Sequence, residues 1–265
     1  MAGRMTETMK TINPYRLALQ FLFRRICWDL DWRSWSSRRA LARLKDSHSG
    51  KKAIILCNGP SLLKTDLHGI SETGVFSFGL NKINLLFDTT SFRPDCVVSV
   101  NGHVIAQNQV FFNETALPIY LDWKARRIVK KRPNVIFLHS IYFPEFAEDC
   151  SLSVFQGFTV TYVAMQLAYH LGFRAVALVG CDHSFAQKGR PNEAVIAGIH
   201  DPSHFHPKYF ADGMTWNLPD LRSSELYYLL ARHRYEENGR KLYNCTVGGE
   251  LEVLPRRSLE QYLAD

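Results

Sequence analysis

Short apolar runs, each closed by a polar or turn-forming residue, recur along the chain from residue 53 onward. Residues 53–57 read Ala-Ile-Ile-Leu-Cys and lead straight into Asn58-Gly59-Pro60-Ser61. A brief continuous apolar run bounded by turn residues predicts a buried strand. Residues 75–80, ending at Asn81, and 95–100, ending at Asn101-Gly102, repeat the pattern. Residues 117–121 and 135–138 are weaker versions, the second ending at His139. Residues 175–179 form another, followed by Gly180-Cys181-Asp182-His183, and 241–245 a last one. Helical spacing lies between them. Val160, Val163, Ala164, Leu167, Ala168 and Leu171 define a helix over 159–171, stopped by Gly172. A second long helix over 221–238 stops at Gly239. Strands alternating with helices predict an α/β, Rossmann-like parallel-sheet domain with helices on both faces.

Ahead of this body the pattern changes. Residues 1–13 are polar, and Pro14 opens a helix. Residues 15–35 mix Leu, Phe, Ile and Trp with Arg over a broad arc, and 36–44 read as a second, basic helix. Residues 47–50 form a linker. The expected organisation is a basic, aromatic N-terminal helical extension over 1–50 and an α/β catalytic domain over 51–265.

Charge sharpens this division. The formal net charge is +7, yet residues 1–52 hold 12 Lys and Arg against 4 Asp and Glu, a local +8. The rest of the chain is close to neutral. A protein that grips a nucleic acid carries its basic stripe on the folded domain, so nucleic acid is not an expected partner. A basic, aromatic extension suits peripheral membrane contact instead, or braces the body. Its first apolar run is broken by Arg16, Gln20, Arg24 and Arg25, too short and too charged to span a bilayer. The six cysteines are scattered, with no Cys-x-x-Cys pair. A reducing, cytoplasmic setting follows, with the inner membrane face as a place to dock.

In an open parallel sheet, ligands bind beyond the carboxyl ends of the strands. Asn58, Asn81, Asn101, His139 and Asp182 all stand at such ends and are expected to converge. The Asn58-Gly59-Pro60-Ser61 turn has glycine for close backbone approach and two side chains able to donate to a ligand. It is not a P-loop, because Gly-x-x-x-x-Gly-Lys is missing. Thr159 and Thr161 open the strongest helix, whose N-terminus favours an anion; the same threonines also suit simple capping. Asp182 and His183 fit a cation, a ribose hydroxyl or a helix cap. His200, His204 and His206 crowd one loop. Imidazole there fits a general base better than zinc, for which the segment has neither cysteine nor an H-E-x-x-H helix. Trp216, Tyr227, Tyr228 and Tyr235 read as core or interface, without a catalytic role.

These blocks carry a resemblance. Ile54 to Leu62, Thr159-Val160-Thr161-Tyr162-Val163-Ala164, Gly180-Cys181-Asp182-His183-Ser184-Phe185, Ser203-His204-Phe205-His206-Pro207 and Trp216-Asn217-x-Pro219-Asp220 resemble, in order, the 6-hydroxymethylpterin diphosphokinase MptE-like family. They are similar, more distantly, to bacterial sialyltransferases acting on lipooligosaccharide and to flagellin glycosyltransferases. The resemblance runs from about residue 51 to the C-terminus. It implies that the Asn58 turn holds a CMP-sugar, that Asn81 and Asn101 surround nucleotide and sugar, and that His204 is the general base. There is one departure. The tyrosines that stabilise the departing phosphate in the sialyltransferases are replaced here by His183-Ser184-Phe185-Ala186-Gln187, leaving Lys208, Tyr209 or His206 as substitutes.

Three functions follow. The first is transfer of a CMP-linked nonulosonic (sialic-type) sugar to a surface glycan or protein, with no cofactor required. The second is pyrophosphoryl transfer from ATP to a pterin alcohol, with magnesium. The third is nucleotide binding without turnover. The basic extension and the shortage of cationic clamps in the body favour the first.

Overall fold

The computed structural model of the chain describes residues 13–265. Its strands are β1 (Lys52–Leu56), β2 (Phe76–Leu80), β3 (Cys96–Ser99), β4 (Ile119–Asp122), β5 (Val135–Leu138), β6 (Ser140–Ile141), β7 (Val154–Phe155), β8 (Ala175–Val179), β9 (Ala194–Ile196), β10 (Thr215–Asn217) and β11 (Lys241–Asn244). Its helices are α1 (Pro14–Leu30), α2 (Trp32–Leu44), α3 (Leu67–Thr73), α4 (Gly102–Gln107), α5 (Gln109–Glu114), α6 (Val160–His170), α7 (Leu221–Glu237) and α8 (Leu259–Ala264).

Seven strands make one parallel sheet in the order β11-β8-β1-β2-β3-β4-β5. The chain lays down β1 to β5 outward in one direction. It then returns through α6 to the other side of β1, where β8 and finally β11 are added. Strand order therefore reverses between β1 and β8, the place where an open α/β sheet leaves a crevice for a ligand.

The strands read as unbroken apolar runs because both faces are covered. Within β1, Ile55 packs with α6 and α7 on one face, while Ile54 and Leu56 pack with α4, α5 and α8 on the other. Helix α6 is buried from Thr161 to His170, lying between the sheet and α7. Its buried Gln166 is fully engaged, accepting from Ala147 N and Phe155 N and donating to the carbonyls of Phe155 and Tyr162.

The N-terminal helices divide at Asp31, not near Ser36 as the sequence pattern predicts. The Asp31 carboxylate caps α2 through Arg33 N, and accepts from Trp123 Nε1 at 3.2 Å beside Arg126 Nε at 3.2 Å. Desolvation opposes its ionisation, but the Arg33 and Trp123 hydrogen bonds outweigh it and hold the carboxyl below its usual value. Helix α2 covers the sheet edge at β5, where Ser37 Oγ accepts from Phe137 N at 3.0 Å. Trp28 of α1 is fully buried between Trp123 and His139. His139 thus lies under α1, apart from the other strand-end residues with which it was expected to converge.

A further unpredicted element is the antiparallel β9–β10 hairpin. It closes the base of the irregular segment that carries His200, His204 and His206.

Candidate active site

At the reversal point two loops are bonded together. Gly59 N donates to Gly180 O at 2.9 Å, and Ser61 donates to Asp182 Oδ2 through its backbone N–H (3.1 Å) and hydroxyl (2.7 Å). A Cβ on Gly59 would lie 2.0 Å from Asp182 Oδ2, so only glycine lets the carboxylate lie over the turn. Gly180 has φ 67°, and a Cβ there would lie 2.8 Å from Cys57 O and 2.9 Å from Leu62 Cβ. Ser61 and Asp182 are therefore committed to each other. Ser61, expected as a ligand donor, is buried, and neither it nor Pro60 lines the adjoining cavities; Asp182, expected among the catalytic residues, clamps the turn through Oδ2 and also lines the smaller cavity.

Two adjoining cavities open here. The smaller, about 160 Å³, is bounded by Asn58, Gly59, Thr161, Asp182, His183 and Ser203. The larger, about 610 Å³, takes in Asn101, His103, Lys124, Gln156, Trp216 and Tyr227. Asn81, Thr159, Phe185, His204 and Tyr209 belong to both. Of the strand-end residues expected to converge, Asn58, Asn81, Asn101 and Asp182 do so, and Gly59, Thr159, Thr161, His183 and His204 line the same pair of cavities.

Two helix N-termini meet the smaller cavity. Thr159 caps α6, its Oγ1 accepting from Thr161 N at 3.2 Å and from the Tyr228 hydroxyl at 3.5 Å. Leu221 and Ser224 bring the first turn of α7 to the same space. At α6 the aligned N–H groups and the helix dipole favour an anion; at α7 the Asp220 carboxylate already caps the first turn, accepting from Ser223 N at 3.0 Å and from Ser223 Oγ at 2.8 Å. Among the described residues, no Lys or Arg lines this cavity. His183, at φ 56°, is 3.2 Å from Glu225; desolvation lowers its pKa against the pull of that carboxylate.

His204 stands between the cavities. Its Nδ1 is 2.7 Å from Asp201 Oδ2, and its ring stacks on Tyr209 at 4.0 Å with an interplanar angle of 1°. A carboxylate only accepts, so Nδ1 carries the hydrogen and Nε2 presents the lone pair. Burial pushes the Asp201 carboxyl up, but hydrogen bonds from His204, Ser203 N and Phe210 N prevail and keep it below its usual value. The segment is anchored to the turn by Phe205 N donating to Asn58 O at 2.9 Å. Lys82 holds it from beneath, donating to Tyr209 O (2.6 Å) and Gln107 Oε1 (2.8 Å). Burial lowers the Lys82 ammonium to about 8 against the pull of Asp201.

His200, His206 and Lys208 line neither cavity, and His206 Nδ1 accepts from Lys208 N instead. Tyr209 does line them, with its hydroxyl buried and unpartnered. Trp216, Tyr227 and Tyr228, read from sequence as core or interface, are buried core residues that also form cavity walls; Tyr235 lies wholly in the core, donating to Met165 O. Phe158, half exposed at φ 63°, stacks on Tyr227 at the mouth. Asn101 caps α4 through its side-chain oxygen, which leaves its amide nitrogen for the larger cavity. Asn81 accepts from Ser99 Oγ at 3.0 Å and likewise keeps its amide nitrogen. Asp201 and Lys82 were not foreseen. Asp201 lies beside three histidines in sequence, and no spacing rule for a loop singles it out.

The described residues contain no group of three His, Cys, Asp or Glu able to hold a metal ion. Asp182 is the one carboxylate in the smaller cavity and already accepts from Ser61. This donor set does not fit a protein-held magnesium.

The family described as 6-hydroxymethylpterin diphosphokinase MptE-like matches residues 33–188. The chain belongs to the MptE-like family. The match takes in the Asn58 turn, the start of α6 and the Asp182 loop, and ends before His204. Among solved structures, the MAf glycosyltransferase from Magnetospirillum magneticum AMB-1 is similar in fold, with a TM-score of 0.52 and 15% identity over 86% of this MptE-like chain. The chain spans 39% of that protein's length. No curated protein matches the sequence significantly.

Proposed function

We propose that this chain transfers a CMP-activated nonulosonic acid to a hydroxyl of a glycan or protein acceptor. The observation that carries the reading is His204, oriented by buried Asp201 and placed between a small anion-favouring cavity and a large aromatic one. The smaller cavity takes the phosphate of the donor against the N-terminus of α6. The larger takes sugar and acceptor among Asn81, Asn101, Phe158 and Trp216.

In the reaction the acceptor oxygen bonds to the anomeric carbon as its proton passes to His204 Nε2. The bond from that carbon to the phosphate oxygen breaks, and CMP leaves as the anion. Its charge meets the N-terminus of α6. The Tyr209 hydroxyl is a donor suited to the same oxygen: burial pushes its pKa up, so it stays protonated. That would replace the tyrosines missing after Asp182.

The family's description favours a second reading, pyrophosphoryl transfer from ATP to a pterin alcohol. Such chemistry leans on metal and cationic clamps, and the smaller cavity has no Lys or Arg among its described residues. Thermal unfolding separates the two, because a ligand that binds only the folded chain raises the midpoint. CMP or CTP is expected to raise it. Stabilisation by ATP with magnesium, and none by cytidine nucleotides, would replace the first reading with the second.

A further inference from the structure

We propose that α1 and the outer face of α2 form a docking surface for an anionic membrane. Tyr15, Leu19, Leu22, Ile26 and Leu30 recur at helical spacing and make one stripe along α1. All are exposed, from 45% at Ile26 to 81% at Tyr15, and Phe23 beside them is 67% exposed. Helix α2 continues the surface with Trp32 and Trp35, 66% and 58% exposed, followed on the same face by Arg39 and Arg43. A contiguous apolar stripe of this length marks a surface that another phase or molecule covers.

Charge decides what covers it. Arg25 and Arg38 pair with Asp29, but Arg16, Arg39 and Arg43 are exposed and form no ion pair among the described residues. Residues 13–44 hold seven Arg against Asp29 and Asp31, a net of +5 that would face an equal charge if two copies met symmetrically through this surface. Anionic lipid complements it, and tryptophan with arginine suits the headgroup boundary. Among the described residues no helix is long and apolar enough to cross a membrane, and α1 contains Arg16, Arg24 and Arg25. The helix therefore lies in the interface plane.

The inner side of α1 ties this surface to the site. Phe21 packs on Tyr142 and Phe143 with centroids 5.7 and 5.0 Å apart, and Arg24 lies over the Tyr142 ring at 4.7 Å. Tyr142 and Ile141 also line the larger cavity. Docking brings lipid to within about 10 Å of that wall, the width of one helix. The inference concerns placement and holds whichever reaction the site performs.

Flotation of the full chain with vesicles tests it directly, using phosphatidylcholine with and without phosphatidylglycerol. The chain is expected to float only with the anionic vesicles and to be released by high salt. The combined variant Leu22→Glu, Phe23→Glu, Ile26→Glu should lose about tenfold or more in partitioning. Arg39→Gln with Arg43→Gln should lose about tenfold at low salt. All these side chains are exposed, so an unchanged thermal midpoint shows that the variants fold. Failure of the native chain to float, or equal flotation of the variants, would overturn the proposal. So would a dimer in sedimentation that the apolar variant abolishes while vesicles stay unbound, which would make a second copy the occupant.

Discussion

Asp201 and Ser61 act through their neighbours, and each makes a distinct expectation. In the proposed mechanism Asp201 touches the base, His204, and not the substrate, and so acts as a positioning residue. Asp201→Asn should lower kcat by about a hundredfold or more while leaving CMP affinity near native, and Asp201→Glu should recover part of the loss. Rate and affinity falling together in both variants would show that the carboxylate only supports the loop. Ser61→Ala removes a hydrogen bond to a carboxylate in a buried clamp. It should cost about 1.5–3 kcal/mol of stability in denaturant unfolding and weaken CMP binding, although Ser61 does not line the cavity. An unchanged unfolding midpoint would deny the clamp. At this scale the sequence was partly legible. The asparagines and threonines stand at strand and helix ends, where polarity in an apolar pattern is conspicuous, and His204 stands in a loop crowded with histidines. Asp201 and Lys82 were not legible, because their importance comes from contacts across the fold: Lys82 reaches Tyr209, far along the chain.

Among the elements, α1 rests on a titratable neighbour. His139 is stacked on Trp28, and burial lowers its pKa to about 4, with Arg25 and Arg24 acting in the same direction and Asp29 opposing. Below about pH 6.5 the unfolded chain takes up a proton that the folded imidazole refuses. Stability from this residue is therefore present at neutral pH and lost as pH falls from 6.5 towards 4, by about 1 kcal/mol per pH unit. Denaturant unfolding at pH 7 and pH 5 checks it, and His139→Leu should flatten the difference. A native slope retained in that variant would place the titration elsewhere. The strands β1, β2, β3, β5, β8 and β11 and the helices α6 and α7 were readable within a residue or two, since each is an apolar run or stripe closed by a turn residue. The α1–α2 break was not, because Asp31 ends one helix and caps the next inside a continuous Trp-rich stretch. The β9–β10 hairpin was missed for the opposite reason: β9 is largely exposed and has no buried run to announce it.

Across the whole molecule, the turn and the base come from distant parts of the chain. Residues 33–188 carry the family match, with the Asn58 turn and the start of α6, while His204 arrives on the later segment between β9 and β10. The fold unites them through Phe205 N bonded to Asn58 O and through the Lys82 strut. Parallel topology was predictable from the alternation of elements; this long-range docking was not, since nothing local records it. The charge division has a similar standing: the basic extension was visible in the sequence, but only the structure shows its apolar stripe facing outward.

The most direct measurement is CMP release in a single turnover from a CMP-linked nonulosonic acid, paired with CMP affinity, for the native chain and His204→Ala. A positioned imidazole contributes roughly a hundred- to ten-thousand-fold to removal of an acceptor proton. The variant should therefore lose turnover by about that factor and keep near-native CMP affinity, with His206→Ala close to native in both. Near-normal turnover by His204→Ala, or a loss matched by an equal loss of CMP binding, would contradict the assignment of this imidazole as the base.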